Sequence, residues 1–523
     1  MSSRGNKGYI PKNIAKYVPK GCNIAFKILN KEMSKGDNSK FLVYYDPDID
    51  GLMSGFIAQR FLSKFHKDSI FYINENREHG FKIPEDLYPH LKGMTILAVD
   101  FSMSREEIKH VLSLGANIVN IDHHNIDDDF IYEKDEVTGC EGVVINNQYP
   151  WEPEDFRFLS GAGVVHYVFR YILEKLGITE LDLDEVALVG ISLLSDVRPT
   201  ENRIAQDFLM VTFNHESELT AYLVNVVTPN NGFERFDSFG VPRFNRNFID
   251  FVFSPHLNAL FRLNRGKDAI LLVRGDRMAI ETYKIGGLLA SCKDLQNNIT
   301  EQILLGLKGN EYDNIIVKGL DNKFKLNSNH NISNFIGLAC SRVRGDNKTT
   351  FLFVEGEKDG FIKRGSVRGL YDNVDYLSIF RAHGLKAEGH KNAFGVLETD
   401  ITTIDFKALD KAIGEAEEEA RNGVSTSTIL RVANIPMFLQ GPNKQIALQN
   451  TMVRDSHRIY LKYTGDDIKK EQRGRMIKYT IDGIPVNCFD LDLTVEEGLI
   501  LPMYGKGDYI EFTLKRDFTK KKE

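Results

Sequence analysis

The sequence predicts an α/β protein: a parallel-sheet domain joined by a long helix to a smaller α/β domain, with a β-rich domain after it. Three observations predict this. From Phe41 to Leu176 apolar runs of strand length alternate with segments of helical spacing, the pattern of parallel strands and crossover helices. The alternation resumes between Asn334 and Gly423. After Val424 it gives way to short alternating runs such as 458–463 and 476–481, which read as a small β domain. The division expected is 1–204, a helical connector 205–330, 331–423 and 424–523.

Phe41–Tyr45 is a strand, and Gly51–Phe65 a helix with Leu52, Phe56, Ala58, Phe61 and Leu62 at helical spacing. Ile70–Ile73, Thr95–Val99 and Ile118–Ile121 are strands, with a helix over Arg105–Leu114. Ser160-Gly-Ala-Gly163 opens a helix over Val164–Leu176. The apolar stretch Val186–Leu194 is grouped with the strands, because it too ends in acid, at Asp196. Segments from Ala205 to Lys325 are longer and more helical, with an irregular Pro/Asn/Gly-rich patch at Pro229–Arg246. Arg277–Leu307 reads as one long helix, a bridge between domains or a core element. The second α/β unit has helices at Ile336–Arg342 and Asp375–His383 and strands at Thr349–Glu355 and Gly360–Arg364. The run Glu415–Arg421 reads as a charged, solvated helix face.

With 523 residues the chain exceeds a single core, and 42% hydrophobic with 27% charged residues is the balance of a folded, soluble protein. Its five cysteines (Cys22, Cys140, Cys292, Cys340, Cys488) form no Cys-x-x-Cys pair. That points to a reducing, cytoplasmic setting and away from structural zinc or a disulfide framework. No apolar stretch has the length of a membrane span, and the N-terminus lacks the hydrophobic core of a signal peptide, so no membrane partner is expected. A net charge of -7 gives no global attraction for nucleic acid, although a basic groove can sit on an acidic protein. Basic segments occur at Lys7–Lys20, Arg364–Arg368 and Lys515–Lys522.

The chemistry lies where apolar runs meet acid. Phe41–Tyr45 runs into Asp46-Pro-Asp48-Ile-Asp50-Gly51, Thr95–Val99 into Asp100, and Asn117–Ile121 into Asp122-His123-His124. On an extended segment Asp46, Asp48 and Asp50 point to one side and repel unless cations neutralise them. The alternative is a turn leading to a helix N-cap at Asp50-Gly51. Asp100 alone reads as a helix cap before Phe101-Ser-Met-Ser-Arg, and Asp196 alone carries little. Taken together these positions offer about six oxygen and nitrogen ligands, suited to two manganese or magnesium ions. Two ions about 3.5–4 Å apart activate a bridging water and neutralise a phosphate oxygen, which is phosphoester hydrolysis.

These segments resemble the DHH phosphoesterase superfamily. Asp46–Gly51, Asp100, Asp122-His-His124 and Ser195-Asp196 are similar to its four motifs. The chain most resembles the RecJ-type single-strand exonucleases. Their elements look like Leu159–Val164, Ser195-Asp-Val-Arg-Pro with Glu201-Asn-Arg203, Ser254–Ala259 with Arg262, Phe335–Arg342, Gly365–Arg368 and Glu388–His390, in order over roughly 40–400. Two positions depart from the family pattern: Tyr44 stands where the first motif has histidine, and Glu388 where the second domain has glycine.

The resemblance implies two Mn2+ or Mg2+ ions, one held by Asp46, Asp48 and Asp100, the other by Asp50, Asp100, His123 and Asp196, with Asp100 bridging. Asp122 would orient a histidine, and His124 would contact the scissile phosphate or assist the departing oxygen. Ser366, Arg368, Gly389 and His390 would hold phosphate oxygens as the second domain closes over the site; alternatively Gly365–Arg368 is an ordinary strand and Gly389-His390 a turn. The implied activity is 5′→3′ release of 5′-mononucleotides from single-stranded DNA, in repair and recombination, with a single-strand binding protein or a helicase as company. The C-terminal domain would be an oligonucleotide-binding barrel or a protein-docking module. Two rivals remain: a DHH enzyme acting on short oligonucleotides or cyclic dinucleotides, and a scaffold without catalysis. The first is commonly shorter and lacks the Ser254–Ala259 element and the long helix. The second would tolerate loss of Asp100 or His123.

Overall fold

The computed structural model describes residues 14–73, 81–126, 129–198, 200, 202–215, 218–227, 248–274, 284–344, 348–357, 360–371 and 373–422, and strands between 428 and 515. Residues 1–13, Glu201, Pro229–Arg246 and the tail beyond Lys515 lie outside the described residues. The chain divides into two compact units near residue 290. One holds the N-terminal part and the C-terminal sheet; the other is centred on 291–426.

The first sheet contains β1 (Phe41–Tyr45), β2 (Ser69–Ile73), β3 (Thr95–Val99), β4 (Asn117–Asp122), β5 (Tyr132–Lys134) and β6 (Glu141–Asn146), in the order β2-β1-β3-β4-β6-β5. All pairings are parallel except β5 with β6. Every residue of β1 and of β3 is buried, which is why both read as unbroken apolar runs. On one face Leu42, Ile96, Ala98 and Ile118 pack with Ile108, Val111 and Leu112 of the helix Arg105–Ser113. That helix starts at Ser104, whose side chain makes a reciprocal capping box with Glu107. Asp100 is therefore no cap.

Three helices carry the site-bearing loops: Ile49–Ser63, Gly161–Lys175 and Leu183–Ser195. The last corrects the grouping of Val186–Leu194 with strands. The helix is buried on all sides from Glu185 to Leu194, so its sequence carries no polar stripe to reveal a helical period. The Asp46–Asp50 segment is likewise not extended. Asp48 caps the first of these helices, its carboxylate accepting from Gly51 N, and Asp50 lies in the first turn. The glycine is required there, because a Cβ on Gly51 would stand 2.2 Å from the carbonyl oxygen of Asp46.

The second unit is built on β7 (Lys308–Glu311), β8 (Ile315–Leu320), β9 (Thr349–Glu355), β10 (Phe361–Arg368), β11 (Ala387–His390), β12 (Ala393–Val396) and β13 (Thr399–Asp400). They run β11-β12-β10-β9-β8-β7, with β13 on β10. Two strands, β7 and β8, thus fall inside the stretch read as connector. The long helix spans Ile285–Gly306, and 275–283 lies outside the described residues. Helices Tyr376–Ala382 and Phe406–Asn422 cover one face, in a core with Phe351, Val367, Phe380, Phe394, Leu409 and Ile413. The latter helix is not wholly solvated: Glu417 is buried and accepts from Thr349 Oγ1 and Tyr376 OH, each at 2.7 Å.

The C-terminal sheet contains Thr428–Val432, His457–Lys462, Lys469–Arg473, Met476–Ile481, Ile484–Cys488, Glu497–Tyr504 and Ile510–Lys515. This is the β-rich domain expected of the sequence.

Candidate metal centre

Register delivers the acids to one edge. Tyr45 pairs Val99, Val99 pairs Ile121, and Asp122 pairs Asn146, so the next residues, Asp46 and Asp100, emerge beside Asp122. β1 lies between β2 and β3, which makes the gap between β1 and β3 the point where strand order reverses. Ligands bind open α/β sheets there, beyond the carboxyl ends of the strands. Asp196 arrives from elsewhere, as the C-cap of the helix Leu183–Ser195. A carboxylate at a helix C-terminus faces the negative end of the helix dipole, an arrangement that costs stability unless a cation is near.

His123 Nε2 lies 3.2 Å from Asp100 Oδ1, 3.5 Å from Asp50 Oδ2 and 3.9 Å from Asp196 Oδ2. Two overlapping groups result: Asp50, His123 and Asp196, and Asp100, Asp122, His123 and His124. Asp46 and Asp48 stand beside them, near enough for their charges to act on Asp100. Asp100 is 1% exposed and sits at φ 69°, a left-handed conformation that side chains other than glycine rarely adopt. Burial, then the charges of Asp50, Asp48 and Asp46, hold its carboxyl well above the ordinary range. Burial and Asp48 push Asp50 up to about 6; burial and Asp50 push Asp196 up to about 8. Among the described residues Asp100 Oδ1 and Asp196 Oδ2 are buried and accept no hydrogen bond. Clustered buried oxygens with an imidazole nitrogen fit a divalent cation, which would cancel this repulsion.

Linkage gives a test without substrate. A carboxyl whose pKa is raised by folding holds its proton more tightly when folded. Its stabilisation is full below the unfolded value of about 4 and is lost as pH rises through the folded value. For Asp50 and Asp196 that window ends at about 6 and about 8. His124, raised to about 10 by Asp122 although burial opposes it, acts with the same sign above its unfolded value. The melting temperature of metal-free protein is therefore expected to fall between about pH 5 and pH 8.5, and Mn2+ to restore it most at the alkaline end. A metal-free melting temperature that climbs through this range would contradict the assignment.

Asp122 belongs to a different arrangement. Its Oδ1 accepts from His124 Nδ1 at 2.7 Å, and its Oδ2 from Ser102 Oγ at 2.6 Å and Asn146 Nδ2 at 3.2 Å. Burial works to raise its pKa, but the charge and hydrogen bond of His124 prevail and hold it below the carboxylate range. The side chain of His124 is 40% exposed, with Nδ1 committed to Asp122, so the ring presents a protonated edge to solvent.

Several supporting residues escaped the sequence reading. Asn120 Nδ2 donates to the carbonyls of Ala98 and Phe101, at 3.2 and 2.9 Å, and so pins the strained turn at Asp100. Asn146 and Ser102 fix Asp122. Asp50 is gripped by Gly161 N at 2.7 Å, Ala162 N at 2.8 Å and Ser192 Oγ at 2.6 Å, at the N-terminus of the helix Gly161–Lys175. This explains the Ser-Gly-Ala-Gly segment. A Cβ on Gly161 would lie 2.1 Å from Asp100 Oδ1. Ser195 Oγ meets Ser254 Oγ at 2.8 Å, tying the Ser-Asp segment to the helix Ser254–Arg262. A polar residue inside an apolar strand, as Asn120 is, was the one available signal.

In the second unit Ser366 and Arg368 are neighbours on β10. Arg368 Nη1 donates to Ser366 Oγ at 2.9 Å, and among the described residues Arg368 has no carboxylate partner. Gly389 and His390 lie two strands away on β11, and Gly389 has φ 135°, a conformation that favours glycine.

Residues 40–191 match the family model described as DHH family, N-terminal domain. No curated protein matches the chain by sequence. Among solved structures, RecJ from Thermus thermophilus in complex with Mn2+ aligns at TM-score 0.66 and 20% identity, over 98% of this chain and 73% of that one. The Mg2+ complex of RecJ from the same organism gives 0.59 and 19%, over 97% and 71%. An exonuclease RecJ bound to manganese gives 0.54 and 22%, over 77% and 96%. Residues 40–191 are thus similar to the N-terminal domain of the DHH family. Along nearly the whole chain the fold is of the RecJ type.

Proposed function

We propose that the protein is a metal-dependent phosphodiesterase that degrades single-stranded DNA from its 5′ end and releases 5′-mononucleotides. The observation that carries this reading is the convergence of Asp50, Asp100 and Asp196 on the buried His123, with Asp50 and Asp100 themselves buried, at the switch point of the sheet. Asp46, Asp48, Asp50, Asp100, His123 and Asp196 would hold two divalent ions, Mn2+ or Mg2+. When bound, such ions supply Lewis acidity toward a phosphate oxygen and lower the pKa of water toward neutrality.

The chain's own groups do the rest. Asp122 holds His124 in one orientation and keeps it protonated. The exposed imidazolium donates to a phosphate oxygen or gives its proton to the departing one. Asn120 pins the turn that carries Asp100, and Asn146 holds Asp122, which limits reorganisation during the reaction. Ser366, Arg368, Gly389 and His390 hold backbone phosphate. The arginine does so as a permanently charged, two-pronged donor, a mode that reads backbone and not base and so suits a single strand. A single-strand binding protein or a helicase would supply such strands, and the working compartment would be the cytoplasm. Turnover of a long single strand, measured beside that of a dinucleotide, tests the substrate class. Faster hydrolysis of the long strand is the expected result; rapid hydrolysis of dinucleotides alone would move the protein to the short-substrate branch.

A further inference from the structure

On the face of the second sheet away from its apolar core, strand register lines up two rows. Ser366 pairs Gly395, and Gly395 pairs Glu388; Arg368 pairs Ala393, and Ala393 pairs His390. Residues directly opposite in antiparallel strands share a face, and alternate residues of one strand do too. Ser366, Arg368, Glu388 and His390 therefore project from one side, with only glycine and alanine between them. The intervening residues Val367, Ala387, Phe394 and Val396 face the core on the other side.

The helix Ser333–Arg344 covers only half of this polar face. A Cβ on its Gly337 would lie 3.0 Å from Arg368 Nη2 and 3.3 Å from Ser366 Oγ, so the helix lies over β10. Gly395 and Ala393 remain partly exposed, and Glu388 and His390 are exposed. The result is a shelf floored by Gly395 and Ala393. Arg364 leans over its near rim, with Nη2 3.7 Å from where a Cβ of Gly395 would be. Glu388 stands on the far rim, two inter-strand spacings or about 10 Å from Ser366 at the backbone.

A carboxylate on the rim of an anion site repels phosphate. It is useful there only toward a donor that accompanies the phosphate, because an ionised carboxylate accepts hydrogen bonds and donates none. A nucleotide carries such a donor one sugar away from its phosphate. We propose that the shelf seats the sugar of the nucleotide whose phosphate rests on Ser366 and Arg368, and that Glu388 selects ribose by accepting a hydrogen bond from its 2′-hydroxyl. This rests on the phosphate-holding role given to Ser366 and Arg368 above. It makes Glu388 the residue that sets sugar preference, and it widens the substrate class to RNA or strands carrying ribonucleotides. Charge-assisted hydrogen bonds to a hydroxyl discriminate strongly against the analogue that lacks it.

The test is isothermal titration of the full-length protein, free of divalent metal, with adenosine 5′-monophosphate and its 2′-deoxy analogue. The wild type is expected to bind the ribonucleotide about tenfold more tightly. Glu388→Gly should bring the ratio close to one. Glu388→Gln, which keeps an acceptor without the charge, should fall between. Equal affinities in the wild type, or a ratio unchanged by Glu388→Gly, would overturn the ribose assignment and leave the phosphate site standing. Binding of neither nucleotide would overturn the phosphate site and the inference with it.

Discussion

Alanine at Asp100 is expected to lower phosphodiester hydrolysis by at least about 10³-fold in the presence of Mn2+. The side chain is buried and lies 3.2 Å from His123 Nε2, and its Oδ1 accepts no hydrogen bond among the described residues. Its energetic circumstances single it out further. Asp50, Asp48, Asp46 and Asp122 all act to keep it protonated, and its backbone sits in a left-handed conformation pinned by Asn120. Such a residue is retained at a cost to the fold. The metal-free Asp100→Ala variant should therefore melt no lower than the wild type, while losing the rise in melting temperature that Mn2+ brings. Metal binding and stability would move in opposite directions, which a purely structural aspartate would not produce. A variant that keeps activity within tenfold of wild type would remove Asp100 from the centre.

Gly161→Ala is expected to cost about 10²-fold or more in activity, through geometry alone. The added Cβ would stand 2.1 Å from Asp100 Oδ1 and 2.6 Å from its Cγ. Either Asp100 leaves its position or the start of the helix Gly161–Lys175 retreats. In the second case the hydrogen bonds from Gly161 N and Ala162 N to Asp50, at 2.7 and 2.8 Å, are lost. Two acids from different loops are thus positioned against one turn of helix, and a single methyl disturbs both. Mn2+ affinity, measured by calorimetry, should weaken alongside activity. Unchanged affinity and unchanged rate would show that the helix terminus does not set the centre.

Much of this was legible because buried parallel strands leave a plain trace. Phe41–Tyr45 and Ile96–Val99 carry no charged or small polar residue since both faces of the sheet are covered. The acid that follows each is then conspicuous. Asp196 was legible as an acid but not as the end of a helix, because the helix before it is apolar on every side. The Asp46–Asp50 triplet looked extended because side-chain spacing in sequence does not show where a strand stops and a helix begins. Asn120, Asn146, Ser102 and Ser192 could not be read, since their partners lie about twenty or more residues away. Glu417 was hidden by its charged neighbours, although it follows Leu409 and Ile413 on the buried stripe of its helix.

Digestion of single-stranded DNA labelled at either end, with Mn2+ and beside Asp100→Ala, tests the exonuclease activity and its polarity together. Early release of labelled mononucleotide from the 5′ end, and none with the variant, is the expected result. Intact strands after incubation with metal-loaded wild-type protein would contradict it.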